Sequence, residues 1–216
     1  SISKTKPKVA ILREQGINGH YEMANAFSVN GFEAVDVTMN SLIAKENNLE
    51  DYQGAVFCGG FSYGDVLGAG KGWANKILHN ELLLDSFSNY FNNLDKFVLG
   101  ICNGCQALSN LQVIIPGSHH WPSFLQNNSE RFESRIVMVS IEKSNSIFLS
   151  GMNDSKLPIV ISHGEGRAYL NEKDYMNLKD NNKEYKFKSD DAGWNLKDKW
   201  SLDVRILSNS QNKFVN

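Results

Sequence analysis

Cysteine is the residue in this chain whose chemistry depends most on its setting, and one of the three cysteines has a distinctive one. Cys102 lies in Gly100-Ile101-Cys102-Asn103-Gly104-Cys105-Gln106. The apolar run Phe97-Val98-Leu99 precedes it and reads as a buried strand; Gln106 to Leu111 follows and reads as the first turns of a helix. A nucleophile in a tight turn between strand and helix is a nucleophile elbow, here with sulfur in place of oxygen. Gly100 and Gly104 keep β-carbons out of the crowded space around it. The helix start presents unpaired N–H groups and partial positive charge to the sulfur. Thiol pKa values of roughly 3.5–7.5 are reached in such settings. The same heptapeptide also suits a buried, inert cysteine on a glycine-flanked turn.

A thiolate in that position implies acyl transfer. It attacks a carboxamide carbon and forms a thioester, and backbone N–H groups must hold the oxyanion. Asn103, the residue after the cysteine, supplies one N–H. The Gly59-Gly60-Phe61 loop is placed to supply the other, because a glycine turn can point an N–H inward. A base, oriented by a carboxylate, would move the protons.

The elements that position these residues are legible along the chain. Val9-Ala10-Ile11-Leu12 is a continuous apolar run, suited to a parallel strand buried on both faces. A glycine-punctuated loop, 13–19, follows it. His20 to Asn30 carries Tyr21, Met23, Ala24 and Phe27 at helical spacing and ends at Gly31. Further strands are expected at Phe32–Val37, Ala55–Cys58 and Phe97–Ile101, with a short polar helix or loop over 41–51 and helices over 73–78 and 82–94. This alternation predicts an α/β fold, a doubly wound and mostly parallel sheet flanked by helices, of flavodoxin-like type. Sites in such sheets form beyond the carboxyl ends of strands, where both the double-glycine loop and Cys102 fall. Residues 131–142 and 157–162 read as further strands, the second opening on His163-Gly164-Glu165-Gly166-Arg167. Residues 171–200 are crowded with Lys, Asp, Glu and Asn and show no apolar period.

Bulk properties exclude several classes. The formal net charge is −2, which gives no basic field for nucleic acid or an acidic membrane. No run is long and apolar enough to span a membrane. An odd cysteine count argues against a disulfide framework and for a reducing, cytoplasmic compartment. A zinc site from Cys58, Cys102 and Cys105 lacks a completing pair. A redox dithiol of Cys102 and Cys105 fits the glycine elbow less well than a nucleophile. Gly68-Ala69-Gly70-Lys71-Gly72 fails the phosphate-loop pattern, since Asp65 stands at the first glycine and Gly72 at the Ser/Thr position. His119-His120-Trp121 reads as a solvated loop, and His20 and His79 as helix side chains.

Read together, six stretches resemble class I glutamine amidotransferase domains, specifically the glutaminase domains of phosphoribosylformylglycinamidine synthases. They are Leu-Arg-Glu-Gln-Gly (12–16), Cys-Gly-Gly-Phe-Ser-Tyr-Gly-Asp-Val-Leu-Gly-Ala-Gly (58–70), Gly-Ile-Cys-Asn-Gly-Cys-Gln (100–106), Pro-Gly-Ser (116–118), Arg-Phe-Glu-Ser-Arg (131–135) and Ser-His-Gly-Glu-Gly-Arg (162–167). The continuation Val-Leu-Gly-Ala-Gly and the second cysteine, Cys105, resemble the large single-chain form. The resemblance implies a linker over 1–7, an amidotransferase domain over 8–170 and an atypical polar tail over 171–216. It implies glutamine as substrate and ammonia delivered to a synthetase domain of the same polypeptide, which converts formylglycinamide ribotide to its amidine in purine synthesis. No cofactor is implied in this domain; ATP and Mg are expected in the synthetase domain.

Carried over residue by residue, the resemblance makes Cys102 the nucleophile. The backbone of Gly60, Phe61 and Asn103 becomes the oxyanion region, while Gly59 and Gln106 line the substrate pocket. His163, Gly164 and Glu165 would hold the α-amino and carboxylate groups of glutamine. Positions i and i+2 of an extended chain share a face, so His163 and Glu165 also mimic a base and its orienter. The family completes its triad in a Pro-His-Pro-Glu-Arg segment near the C-terminus. Here no Pro follows Pro158 and no His follows His163. The expectation is a truncated or altered C-terminal part; the alternative is a non-catalytic module that only docks on a synthetase.

Overall fold

Val9, Ala10, Ile11 and Leu12 are buried and form the middle of strand β1 (Lys8–Arg13). This is seen in a computed structural model, which describes residues 5–119, 121–141, 147–149, 151–170 and 205–207. The chain divides into two units between Pro116 and Gly117. The polar stretch read over 171–200, His120, and part of the linker expected over 1–7 lie outside the described residues.

In the first unit β1 pairs with β2 (Glu33–Thr38) on one side and β3 (Gly54–Phe57) on the other, and β3 pairs with β4 (Phe97–Gly100). All pairings are parallel, in the order β2-β1-β3-β4. Helices α1 (His20–Val29), α2 (Met39–Ile43), α3 (Lys71–Leu78) and α4 (Glu81–Asn92) make the crossovers. Helix α5 (Asn103–Asn110) follows β4. This is the α/β architecture that the alternating pattern predicts.

Local chemistry fixes the helix starts. Thr38 and Ser41 form a reciprocal capping box at α2, and the Asn80 side chain accepts the Leu83 N–H at the start of α4. Helix α4 buries Leu83, Phe87, Tyr90 and Phe91, a stripe at helical spacing. Phe87 stacks tilted on Phe91 and on Phe57 of β3, and Phe57 lies 4.9 Å from the Trp73 ring of α3. Each of these side chains contributes roughly 1.5–3 kcal/mol through burial. The cluster thus holds the end of β3 just where Cys58-Gly59-Gly60 leaves the sheet.

Two local expectations change. Helix α5 begins at Asn103, three residues before the expected start at Gln106, because the Cys102 backbone takes the cap position. In α1 only Phe27 is buried, and Tyr21 is 77% exposed. Helical spacing alone did not separate the core face from the solvent face in so weakly amphipathic a segment.

The second unit is antiparallel. β5 (Ser123–Leu125) pairs with β8 (Arg167–Tyr169), and β6 (Glu133–Ser140) lies between β7 (Lys156–His163) and β9 (Arg205–Leu207). Among the described residues, no helix is long and apolar enough to cross a membrane.

Gly104 tests how α5 seats on β3. A Cβ there would stand 2.0 Å from the Phe57 carbonyl oxygen. Helix propensity favours Gly→Ala by about 1 kcal/mol, whereas overpacking costs about 1–3 kcal/mol. Gly104→Ala is therefore expected to lower the melting temperature, by roughly 2–4 °C for each kcal/mol lost. A raised melting temperature would show that α5 does not sit against β3.

Candidate active site

Strand register brings the two glycine-rich loops together. Phe57 pairs with Gly100 across β3 and β4, so Cys58-Gly59-Gly60 and Ile101-Cys102 leave the sheet side by side. The Ile101 N–H donates to the Phe57 carbonyl at 3.0 Å, extending the pairing by one step. A Cβ on Gly59 would lie 3.1 Å from Cys102 Cβ and 3.8 Å from its Sγ. The missing side chain of Gly59 thus leaves room beside the sulfur. Gly59 and Ile101 also line a cleft of about 440 Å³ with Gly19, Met23 and Ala26 of the first crossover.

Cys102 has φ 53° and ψ −118°, a conformation that side-chain-bearing residues rarely adopt. Such strain costs on the order of 1–3 kcal/mol and persists only where the surroundings over-determine it. They do so here. A Cβ on Gly100 would meet Leu108 Cδ1 at 2.6 Å and Cys105 Cα at 3.0 Å, and Gly104 is pressed on Phe57. The Cys102 side chain is exposed.

Of the expected oxyanion donors, two are available. The N–H groups of Asn103 and Gly60 donate to no acceptor among the described residues. Phe61 is corrected, because its N–H donates to the Gly16 carbonyl at 2.9 Å. That bond belongs to a seam between the loops after β1 and β3. Asn18 and Gly19 N–H groups donate to the Gly59 carbonyl at 3.3 and 3.0 Å, and Tyr63 N–H donates to the Gln15 carbonyl at 2.8 Å. Gly60 must be glycine, since its φ is 147° and a Cβ would stand 2.7 Å from Gly16 O.

The Asn103 side chain has a role the sequence reading missed. It is fully buried. Its Oδ1 accepts the Ser62 N–H at 3.1 Å, and its Nδ2 donates to Asp65 Oδ1 at 2.8 Å and Gln106 Oε1 at 3.2 Å. One side chain thus ties the elbow to the turn Ser62–Asp65 and orients Gln106, which is 7% exposed. In the stretch that fails the phosphate-loop pattern, Gly70 serves packing, since a Cβ there would stand 2.4 Å from the Ala107 nitrogen of α5.

His163, Gly164 and Glu165 stand in the second unit, at the end of β7. Asn127, which sequence reasoning did not single out, organises them. It is 2% exposed, and its Nδ2 donates to the carbonyls of Arg131 and His163 at 2.9 Å. Its N–H donates to the Gly164 carbonyl at 2.9 Å, and its Oδ1 accepts the Gly166 N–H at 3.2 Å. The same Oδ1 lies 3.0 Å from His163 Nδ1, so this network assigns the proton to Nδ1 and leaves Nε2 as an acceptor. A Cβ on Gly166 would stand 2.3 Å from the imidazole. Desolvation first, and then the charge of Arg135, hold the His163 pKa below its ordinary value. Among the described residues no three His, Cys, Asp or Glu side chains group as metal ligands.

A parallel sheet whose adjacent strands deliver a strained cysteine elbow and a double-glycine loop defines a class I glutamine amidotransferase type of domain. The family model of CobB/CobQ-like glutamine amidotransferase domains matches residues 6–195, and the chain belongs to that family. It is similar to the solved structure of PurLQS from Thermotoga maritima, with 28% identity and a TM-score of 0.62 over 78% of this chain and 71% of that one. Two other solved structures match more distantly. A GMP synthase component from Thermoplasma acidophilum is 18% identical, with a TM-score of 0.48 over 78% of this chain and 68% of that one. A glutamine amidotransferase from Thermotoga maritima is 17% identical, with a TM-score of 0.46 over 77% and 64%.

The three thiols should separate by reactivity. Burial pushes the pKa of Cys58 up to about 12; burial, and then the neighbouring Cys102, push that of Cys105 up to about 12. At pH ~8 their thiolate fractions are on the order of 10⁻⁴. Iodoacetamide on the native chain should therefore alkylate Cys102 alone, as peptide mapping would show. Equal labelling of Cys105 would overturn the assignment.

His163 makes a second testable case. Its folded pKa is lowered, so as pH falls through the ordinary value of 6.5 the unfolded chain binds a proton that the folded chain declines. Stability from this group is present above that value and is lost on acidification. His163→Gln should lose less melting temperature than the unsubstituted chain between pH about 7.5 and about 5.5. An identical loss in both would remove His163 from the account.

Proposed function

We propose that the chain is a glutaminase module that supplies ammonia for amidation of formylglycinamide ribotide in purine biosynthesis. In this reading it is of the large single-chain type, cytoplasmic, with a synthetase domain of the same polypeptide that uses ATP and Mg. Residues 1–7 serve as linker, 8–170 as the amidotransferase domain and 171–216 as an atypical tail. The likeness to PurLQS supports this assignment of pathway. The observation that carries the chemistry is the exposed Cys102 at a strained elbow, with the Gly60 and Asn103 N–H groups unoccupied by acceptors among the described residues.

The Cys102 thiolate attacks the carboxamide carbon of glutamine, and the two N–H groups hold the resulting oxyanion. Collapse breaks the C–N bond, a proton goes to the leaving nitrogen, and ammonia departs. Water then cleaves the thioester to give glutamate and regenerate the thiol. Gly59 leaves space beside the sulfur, and Gln106 shapes the pocket. His163, Gly164 and Glu165 hold the amino acid end of the substrate.

The second reading, a module that docks on a synthetase without turning over, is favoured by one observation. Residues 164–216 contain no His to act as a base after His163. General acid–base help is worth roughly 10²–10⁴-fold. The chain is therefore expected to form an adduct on Cys102 with a glutamine-mimicking chloroketone or diazoketone, yet to release no steady glutamate. An adduct on Cys105 would overturn the nucleophile assignment. Steady glutamate release, abolished in Cys102→Ser, would show that the chain carries its own base.

A further inference from the structure

The two N–H groups offered to an oxyanion come from different loops, and something must hold those loops at a fixed separation. Gly60 follows β3 and Asn103 follows β4. The Ser62 N–H, in the same loop as Gly60, donates to Asn103 Oδ1 at 3.1 Å. Asn103 therefore turns its backbone N–H to the candidate hole and its side chain to the loop that carries the other donor. That link holds only while Oδ1, and not Nδ2, faces Ser62. A backbone N–H can only donate, so the link needs a partner that keeps Nδ2 turned the other way.

Asp65 is that partner. Its Oδ1 accepts from Asn103 Nδ2 at 2.8 Å, and the same oxygen accepts the Gly70 N–H at 3.3 Å. Gly70 caps the start of α3 and is pressed on α5, where a Cβ would stand 2.6 Å from the Gln106 carbonyl carbon. One carboxylate oxygen thus joins the elbow residue to the start of α3. Nδ2 also donates to Gln106 Oε1 at 3.2 Å, which fixes both ends of the amide. Asn103 is fully buried, so an N–H left unpaired there has no water to turn to. The backbone that delivers Asp65 is left-handed at successive residues, with φ of 53° at Tyr63, 64° at Gly64 and 53° at Asp65. Aspartate tolerates that region better than most side chains. Such a run persists only where the surroundings over-determine it.

We infer that Asp65 is a positioning residue for the two candidate oxyanion donors: it keeps the Asn103 amide turned toward Ser62 and so sets the Gly60 N–H against the Asn103 N–H. This rests on the glutaminase reading and deepens it. Asp65 acts through Asn103, as residues that support a reactive shell do. Both bonds end on one oxygen, so the requirement is for an acceptor at that point and not for a negative charge.

Labelling of Cys102 reads the hole. Iodoacetamide needs only the thiolate, whereas a glutamine-mimicking chloroketone also needs its carbonyl oxygen held by the two N–H groups. The maximal chloroketone rate divided by the iodoacetamide rate therefore reports the hole. The half-saturating chloroketone concentration reports the grip on the amino acid end. All variants are compared as protein folded by circular dichroism. Asp65→Gly is the deciding variant, because glycine adopts φ 53° without strain and only the acceptor is lost. Its ratio should fall about tenfold, with the half-saturating concentration unchanged within about twofold; outright loss of an oxyanion donor costs roughly 10²–10³-fold. Asp65→Asn keeps an acceptor oxygen and suits the same backbone, so its ratio should stay within about twofold. Asn103→Ala removes the other end of the bond and should fall at least as far as Asp65→Gly. Adding Asp65→Gly to Asn103→Ala should then change the ratio by less than about twofold. A ratio within about twofold of the unsubstituted chain in Asp65→Gly or Asn103→Ala, or an equal fall in Asp65→Asn, would overturn the inference and leave the glutaminase reading intact. Absence of any chloroketone adduct on Cys102 in the unsubstituted chain would overturn both.

Discussion

The first unit depends on one strained peptide, the backbone of Cys102. At φ 53° and ψ −118° it sits where few side-chain-bearing residues go, and the cost must be met by contacts on every side. The parallel pairing of β3 with β4 supplies the first, by aligning Phe57 with Gly100 and leaving the Phe57 carbonyl to catch the Ile101 N–H. Gly104 supplies the second by letting α5 lie on that same carbonyl. The aromatic cluster of Phe57, Trp73, Phe87 and Phe91 then keeps β3 from yielding. The sharp turn is thus a product of tertiary packing, and its local sequence alone does not stabilise it.

Because the elbow is rigid, the loop facing it has to be rigid too, or its N–H groups would point at random. The solution is a second seam: the loop after β1 is stitched to the loop after β3 by backbone bonds, and glycines allow the two segments to approach within contact distance. That seam consumes the Phe61 N–H. A loop cannot offer every amide to a ligand and also be held by its amides. Here Gly60, lying between two bonded neighbours, is the position left over. The Asn103 side chain closes the frame by joining the elbow to the turn Ser62–Asp65, 41 positions away in sequence.

What was legible in the sequence follows from the range of the interactions involved. Strands such as Val9–Leu12 and Ala55–Phe57 are buried on both faces, so their apolar runs announce them. The Gly-flanked cysteine announces its turn, because the steric demand falls on immediate neighbours. In helix α1 the spacing does not tell core from solvent, since Tyr21 and Met23 share the apolar pattern while only Phe27 is buried. The contacts that complete each cluster were not legible. Asn103 with Asp65, and Asn127 with His163, join residues 38 and 36 positions apart, and nothing in a buried asparagine's own sequence context says what it will bond. The antiparallel pairing of β6 with β7 was likewise hidden, because two apolar runs do not state their relative direction.

The surroundings of His163 bear on whether a His-x-Glu pattern after a strand amounts to a base and its orienter. A catalytic imidazole gains from a carboxylate on Nδ1, which stabilises the imidazolium as it forms. His163 has instead the neutral amide oxygen of Asn127 on that nitrogen, an oxygen already shared with the Gly166 N–H. Burial and the cation of Arg135 both disfavour the protonated ring. Each of these moves the residue away from taking up a proton. The same features suit an imidazole that stays neutral and offers Nε2 as an acceptor to an ammonium group. Gly164 and Gly166 add a backbone bent around Asn127, with Gly166 flat against the ring. The pattern that mimics a dyad in one dimension has the electrostatics of a neutral hydrogen-bond acceptor.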